Sequence, residues 1–146
     1  MNIKKPEKAV ANFKIMNCNQ AVLAAFGPDY GVSENICFNL GLGYGGGIGR
    51  EGRACGACTG AYSVIGLWAA TKSNDTVEQK NIAASKVQEY NRLFLKRHNH
   101  LDCKDLLGYS MAIPEEKAKI TELNLHENIC EGLIRSSAEI LMEILD

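Results

Sequence analysis

Apolar residues recur along this chain at helical spacing. Cys18, Ala21, Val22 and Ala25 share one helical face, and Gly27-Pro28-Asp29 is expected to end that helix. Cys58, Ala61, Tyr62, Ile65 and Ala69 form a second stripe. Ala83, Val87, Tyr90 and Phe94 define the longest helix, with Asn74 as its expected N-cap and Arg97, His98 and His100 as cations near its C-terminus. Gly108 closes a short segment around Cys103, and Pro114-Glu115-Glu116 reads as the opening turn of a further helix. A last helix, from about Leu125, places Cys130, Leu133, Ser137, Ile140, Leu141 and Ile144 on one face. No segment sustains period-two alternation, and β-branched residues are scattered. The pattern predicts an all-α fold of about five to six helices in a single domain over residues 1–146.

Glycine usage refines this picture. Nine of the 14 glycines lie between Gly41 and Gly60, and none between Leu67 and Leu107, so a glycine-rich loop precedes the second stripe. Two consecutive stretches, from Gly41 to Gly46 and from Gly47 to Gly52, match the dinucleotide pattern G-x-G-x-x-G, but no convincing strand leads into them. No glycine is followed by lysine, which excludes a Walker A loop. What the glycines do offer is bare N–H groups that can approach an anionic object closely.

Composition bounds the function. The chain has 146 residues, 46% apolar and 23% charged, enough for a core without disulfides. A net charge of −1 argues against a nucleic-acid partner. Residues 1–7 carry charge without a signal-like apolar run, and the longest nearly apolar run, residues 61–70, is too short to span a bilayer. These features predict a soluble, cytoplasmic protein with no membrane partner. The same apolar run and the glycine-free long helix offer enough apolar surface to predict a homodimer.

Six cysteines, at 18, 37, 55, 58, 103 and 130, point in a reducing compartment to metal binding or redox chemistry. The Cys55-x-x-Cys58 pair has three standard uses: a redox dithiol, half of a zinc site, or part of an iron–sulfur site. A thioredoxin-type dithiol needs a leading strand, and haem attachment needs a histidine where Thr59 stands. Zinc usually recruits a second close pair, whereas the other four cysteines are isolated in sequence. Any one buried cysteine is ordinarily an inert core thiol. Here, though, Cys18 and Cys130 sit on apolar helix faces and Cys55 and Cys58 open another helix, so folding tends to gather them. His98, His100 and His126 lie in charged stretches and are expected to face solvent, and Tyr62 and Trp68 to pack in the core.

The order Cys18, Gly45-Gly46-Gly47, Arg50, Cys55-Gly56-Ala57-Cys58-Thr59-Gly60, Cys103, Cys130 resembles the redox-active proteins recognised by a C, CGAxxG, C, C pattern. Asn17-Cys18-Asn19-Gln20-Ala21-Val22 and Leu106-Leu107-Gly108 add to the resemblance. A related domain in split-Soret cytochrome c implies an iron–sulfur centre, with Cys18, Cys55, Cys103 and Cys130 as ligands. Cys58 and Cys37 are two thiols beyond the pattern and secondary ligand candidates. Around such a negative centre, the N–H groups of Gly45, Gly46, Gly47 and Gly49 and the charges of Arg50 and Arg53 would be the stabilising groups. The resemblance therefore implies electron transfer or redox sensing with a partner protein, rather than an enzyme with its own substrate, and a 4Fe–4S cluster in preference to 2Fe–2S. A metal-free Cys55/Cys58 dithiol protein and a zinc-stabilised interaction domain are the competing readings.

Overall fold

A computed structural model describes residues 4–146. Met1, Asn2 and Ile3, the start of the charged N-terminal stretch, lie outside the described residues. The fold is all-α, as the periodicity predicts, but the described residues form eight α-helices where five or six are expected. They are α1 (Lys5–Asn12), α2 (Cys18–Phe26), α3 (Glu34–Gly41), α4 (Gly56–Ala70), α5 (Thr76–His98), α6 (Cys103–Leu107), α7 (Pro114–Glu122) and α8 (Glu131–Ile144). No strand occurs among the described residues, only an isolated bridge between Ala54 and Asp102.

The unexpected helices are short, eight residues each, and bury little. In α1 only Pro6 and Ala9 are buried, and proline in the first turn sets the entry. In α3, capped by the Ser33 hydroxyl accepting from the Ile36 N–H at 3.2 Å, only Cys37 and Gly41 are buried. Helix α2 ends at Phe26 as expected, with Gly27 as its C-cap, and the chain then tightens into a 3-10 turn over Gly27–Tyr30 that closes at Gly31, whose φ is 82°. One other expectation needs correction. The N-cap of α5 is Asp75, not Asn74, because the Asp75 carboxylate is the group that reaches the Glu78 N–H, at 3.0 Å.

Helix α2 is the centre of the molecule: every residue from Asn19 to Phe26 is buried, which is why its middle is built from alanines. Neighbouring α1, α3, α4 and α8 pack against it. Helix α4 approaches it closely at Gly56 and Gly60. A Cβ at Gly56 would lie 2.8 Å from both the Asn19 nitrogen and the Cys18 Cβ, and one at Gly60 would lie 2.7 Å from the Asn19 carbonyl oxygen. Behind this contact Tyr90 of α5 donates to the Ser137 hydroxyl of α8 at 2.8 Å, and Ser137 donates to the Ala57 carbonyl of α4 at 2.8 Å. This chain of bonds satisfies buried polar groups while tying three helices together. A second, smaller apolar cluster, Cys103, Leu107, Ile120 and Cys130, lies apart from the main core, and half-buried Cys18 and Phe13 touch both. Among the described residues no helix is long and apolar enough to cross a membrane.

Candidate metal centre

Where these two clusters meet, the fold leaves a cavity of about 1170 Å³, and Cys18, Cys55, Cys103 and Cys130 all line it. Three of the four stand where a helix begins. Cys18 is the first residue of α2, behind a capping box in which the Asn17 side chain accepts from the Gln20 N–H and the Gln20 side chain accepts from the Asn17 N–H. Cys55 is the N-cap of α4, and Cys103 opens α6. Cys130 closes a π-turn, His126–Cys130, that runs directly into α8; such turns recur at functional sites. The free N–H groups and dipoles at the starts of α2 and α4 favour negative charge beside Cys18 and Cys55. Cys55 and Cys103 are held side by side through backbone: the Cys55 N–H donates to the Leu101 carbonyl at 2.8 Å, and the Cys103 N–H to the Arg53 carbonyl at 2.7 Å.

The glycine-rich loop supplies another wall. Gly45, Gly46, Gly47, Gly49 and Arg50 line the cavity. Five consecutive residues, Gly46 to Arg50, have φ between 61° and 80°, a left-handed stretch that includes Ile48 and Arg50. A left-handed conformation costs a non-glycine residue roughly 1–2 kcal/mol. Wide-ring bonds hold the turn: the Gly49 N–H donates to the Gly43 carbonyl at 2.8 Å, Arg50 to Gly45 at 2.8 Å, and Arg53 to Gly47 at 2.8 Å. None of the N–H groups of Gly45, Gly46 and Gly47 has a hydrogen-bond acceptor among the described residues. Consecutive unpartnered N–H groups of this kind suit an anion. Arg53 departs from expectation: it does not line the cavity and acts through its backbone, which links Gly47 to Cys103.

The thiols perturb one another. Cys130 is pulled down to about 6, first by its neighbour Cys18 and then by His126, while Cys18 is pushed up by Cys130 and by burial. Cys55 is lowered by Cys58, which is itself raised by Cys55 and by burial, and burial raises Cys103 to about 12. In each close pair one sulfur is favoured as the thiolate, the form that binds soft metals.

The two extra thiols lie elsewhere. Cys58 is sealed in the main core and is not on the cavity wall; Cys37 is also in the main core and off the cavity wall, with its sulfur 3.8 Å from the Val32 carbonyl. No three His, Cys, Asp or Glu side chains among the described residues are placed to hold a single metal ion. His126 is exposed, as expected, and it also lines the cavity, with Nδ1 3.8 Å from the Cys130 sulfur. The i, i+4 spacing of His126 and Cys130 carried that signal. His98 is half-buried, its ring 4.7 Å from that of Phe94. No sequence pattern marked the apolar lining from Phe13, Met16 and Met111.

Fold and site together define a small all-α protein with four cysteines gathered on one cavity. The sequence model of the family described as "Putative redox-active protein (C_GCAxxG_C_C)" matches residues 16–144, and the chain belongs to that family. Its designation writes glycine before cysteine in the central element, whereas here Cys55 precedes Gly56. Neither a curated protein nor a solved structure matches the chain.

Proposed function

We propose that Cys18, Cys55, Cys103 and Cys130 hold an iron–sulfur cluster, and that the protein exchanges electrons with a partner protein as a carrier or redox sensor. The observation that carries this reading is the gathering of four thiols, from four separate segments, on one cavity. The donor set suits the group: thiolates are the usual ligands of such clusters, four per cluster. We favour four irons, one per cysteine.

When bound, the cluster supplies reversible one-electron chemistry. The chain's own residues set the conditions for it. The starts of α2 and α4, the N–H groups of Gly45, Gly46 and Gly47, and the Arg50 charge oppose the negative charge of four thiolates and favour the reduced state. Phe13, Phe38, Leu42, Leu106 and Leu107 limit water around the sulfurs. Six unpaired thiols suit a reducing, cytoplasmic setting. The chain covers most of its apolar run 61–70 itself, and Ile36, Leu40, Leu42 and Tyr44 are the exposed apolar residues that a second copy would cover in the homodimer we propose.

One observation favours a second reading, a metal-free dithiol: Cys55 and Cys58 are mutual neighbours at the start of α4. Elemental analysis of anaerobically purified protein separates the readings. Brown protein with iron and acid-labile sulfide is expected. Folded, colourless, metal-free protein with an oxidisable Cys55/Cys58 pair would establish the dithiol, and zinc without sulfide a zinc domain.

A further inference from the structure

We infer that His126 donates its Nδ1–H to the Cys130 sulfur and so tunes the centre without ligating it. The inference rests on the cluster reading above. His126 and Cys130 open and close one π-turn, and the Glu131 N–H donates to the His126 carbonyl across it. The turn follows Asn124, whose φ is 53°, and the Asn128 side chain donates to the Leu123 carbonyl at 3.0 Å, so the entry to the turn is fixed locally. Phe13 meets the imidazole edge-on, with ring centroids 6.2 Å apart. Nδ1 then lies 3.8 Å from the Cys130 sulfur, within range of a hydrogen bond to sulfur. A thiolate or metal-bound sulfur carries no hydrogen, so this contact is attractive only when Nδ1 holds the proton and acts as donor.

The other three thiols lack such a donor: no side chain other than cysteine enters their hydrogen bonding among the described residues. The centre is therefore asymmetric, with an added side-chain donor at Cys130 alone. Hydrogen bonds to ligand sulfurs withdraw charge from them and raise the reduction potential. His126 is thus a positioning and tuning residue, and its removal leaves all four thiols in place.

The test compares wild type with His126→Phe, which keeps a ring against Phe13 but has no donor, and His126→Asn, whose side-chain N–H stands close to the place of Nδ1. Because His126 is largely exposed, both variants are expected to fold. Iron and sulfide per chain, and the reduction potential at one fixed pH, are measured for all three. The inference expects equal iron and sulfide throughout, a potential shifted negative in His126→Phe, and a potential moved back toward wild type in His126→Asn. An unchanged potential in His126→Phe overturns it. So does loss of iron and sulfide in both variants, which would make His126 a ligand. If wild-type protein itself holds no iron and sulfide, the cluster reading fails first and this inference with it.

Discussion

Gly47 joins the glycine loop to the cysteine site, and replacing it tests whether that junction is as tight as the structure shows. An alanine Cβ there would lie 2.7 Å from the Cys103 Cβ, 2.6 Å from the Arg53 nitrogen and 2.8 Å from the Arg53 oxygen. Two costs combine. The φ of 80° puts alanine in the left-handed region at roughly 1–2 kcal/mol, and the forced displacement of backbone and Cys103 adds about 1–3 kcal/mol, as overpacking does. Gly49 separates these costs, because its φ is 63° but a Cβ there meets nothing within 4 Å. Gly49→Ala should therefore carry the backbone cost alone. Alanine also narrows the unfolded ensemble, but equally in both variants, so that effect cancels in the difference. With a urea slope of about 2 kcal/mol/M, the unfolding midpoint of metal-free protein should fall by roughly 0.5–1 M for Gly49→Ala and 1–2.5 M for Gly47→Ala. Equal midpoints for the two variants would refute the close packing of the loop against Cys103.

Two further outcomes follow from the buried network and the thiol pairs. Ser137→Ala removes the link between Tyr90 and the Ala57 carbonyl, leaving buried polar groups without a good partner; it should lower stability by about 1–3 kcal/mol in the same urea assay, and no change would show that water replaces the hydroxyl. In metal-free protein Cys130 is lowered to about 6, so at pH 7 it is largely thiolate and should be alkylated well before Cys103; its rate should drop as the pH falls through about 6, where the sulfur gains its proton. Peptide mass mapping after limited alkylation checks this, and preferential labelling of Cys103, which burial raises to about 12, would contradict it.

The long helices were legible because their apolar stripes run for several turns: α4, α5 and α8 follow Ile65, Phe94 and Leu141 much as the spacing predicts. The short α1 and α3 were not, since each buries only two residues and is held largely from outside, as when Lys5 donates to the Ala25 carbonyl of α2 at 2.8 Å. At the site, the four cysteines could be named from the resemblance, but their placement at helix starts depends on where each helix begins, to the residue, which periodicity does not resolve. Periodicity also does not show that Gly56 and Gly60 serve the crossing of α2 over α4, with Gly56 lining the cavity beside Gly45, Gly46, Gly47 and Gly49. Arg53 looked like a charge for the centre because a sequence shows side chains, not the backbone bonds through which this residue joins Gly47 to Cys103.

The central claim is that the four cavity thiols, rather than the Cys55-x-x-Cys58 pair, hold the cluster. The most direct measurement is the iron and acid-labile sulfide content of Cys103→Ser set against Cys58→Ser, each purified anaerobically and reconstituted alongside wild type, with Cys37→Ser as a control. Cys103 lines the cavity, whereas Cys58 and Cys37 are buried away from it. Cys103→Ser should lose or convert the cluster, and Cys58→Ser and Cys37→Ser should keep iron and sulfide near the wild-type content. Loss of the cluster in Cys58→Ser with full retention in Cys103→Ser would contradict the assignment.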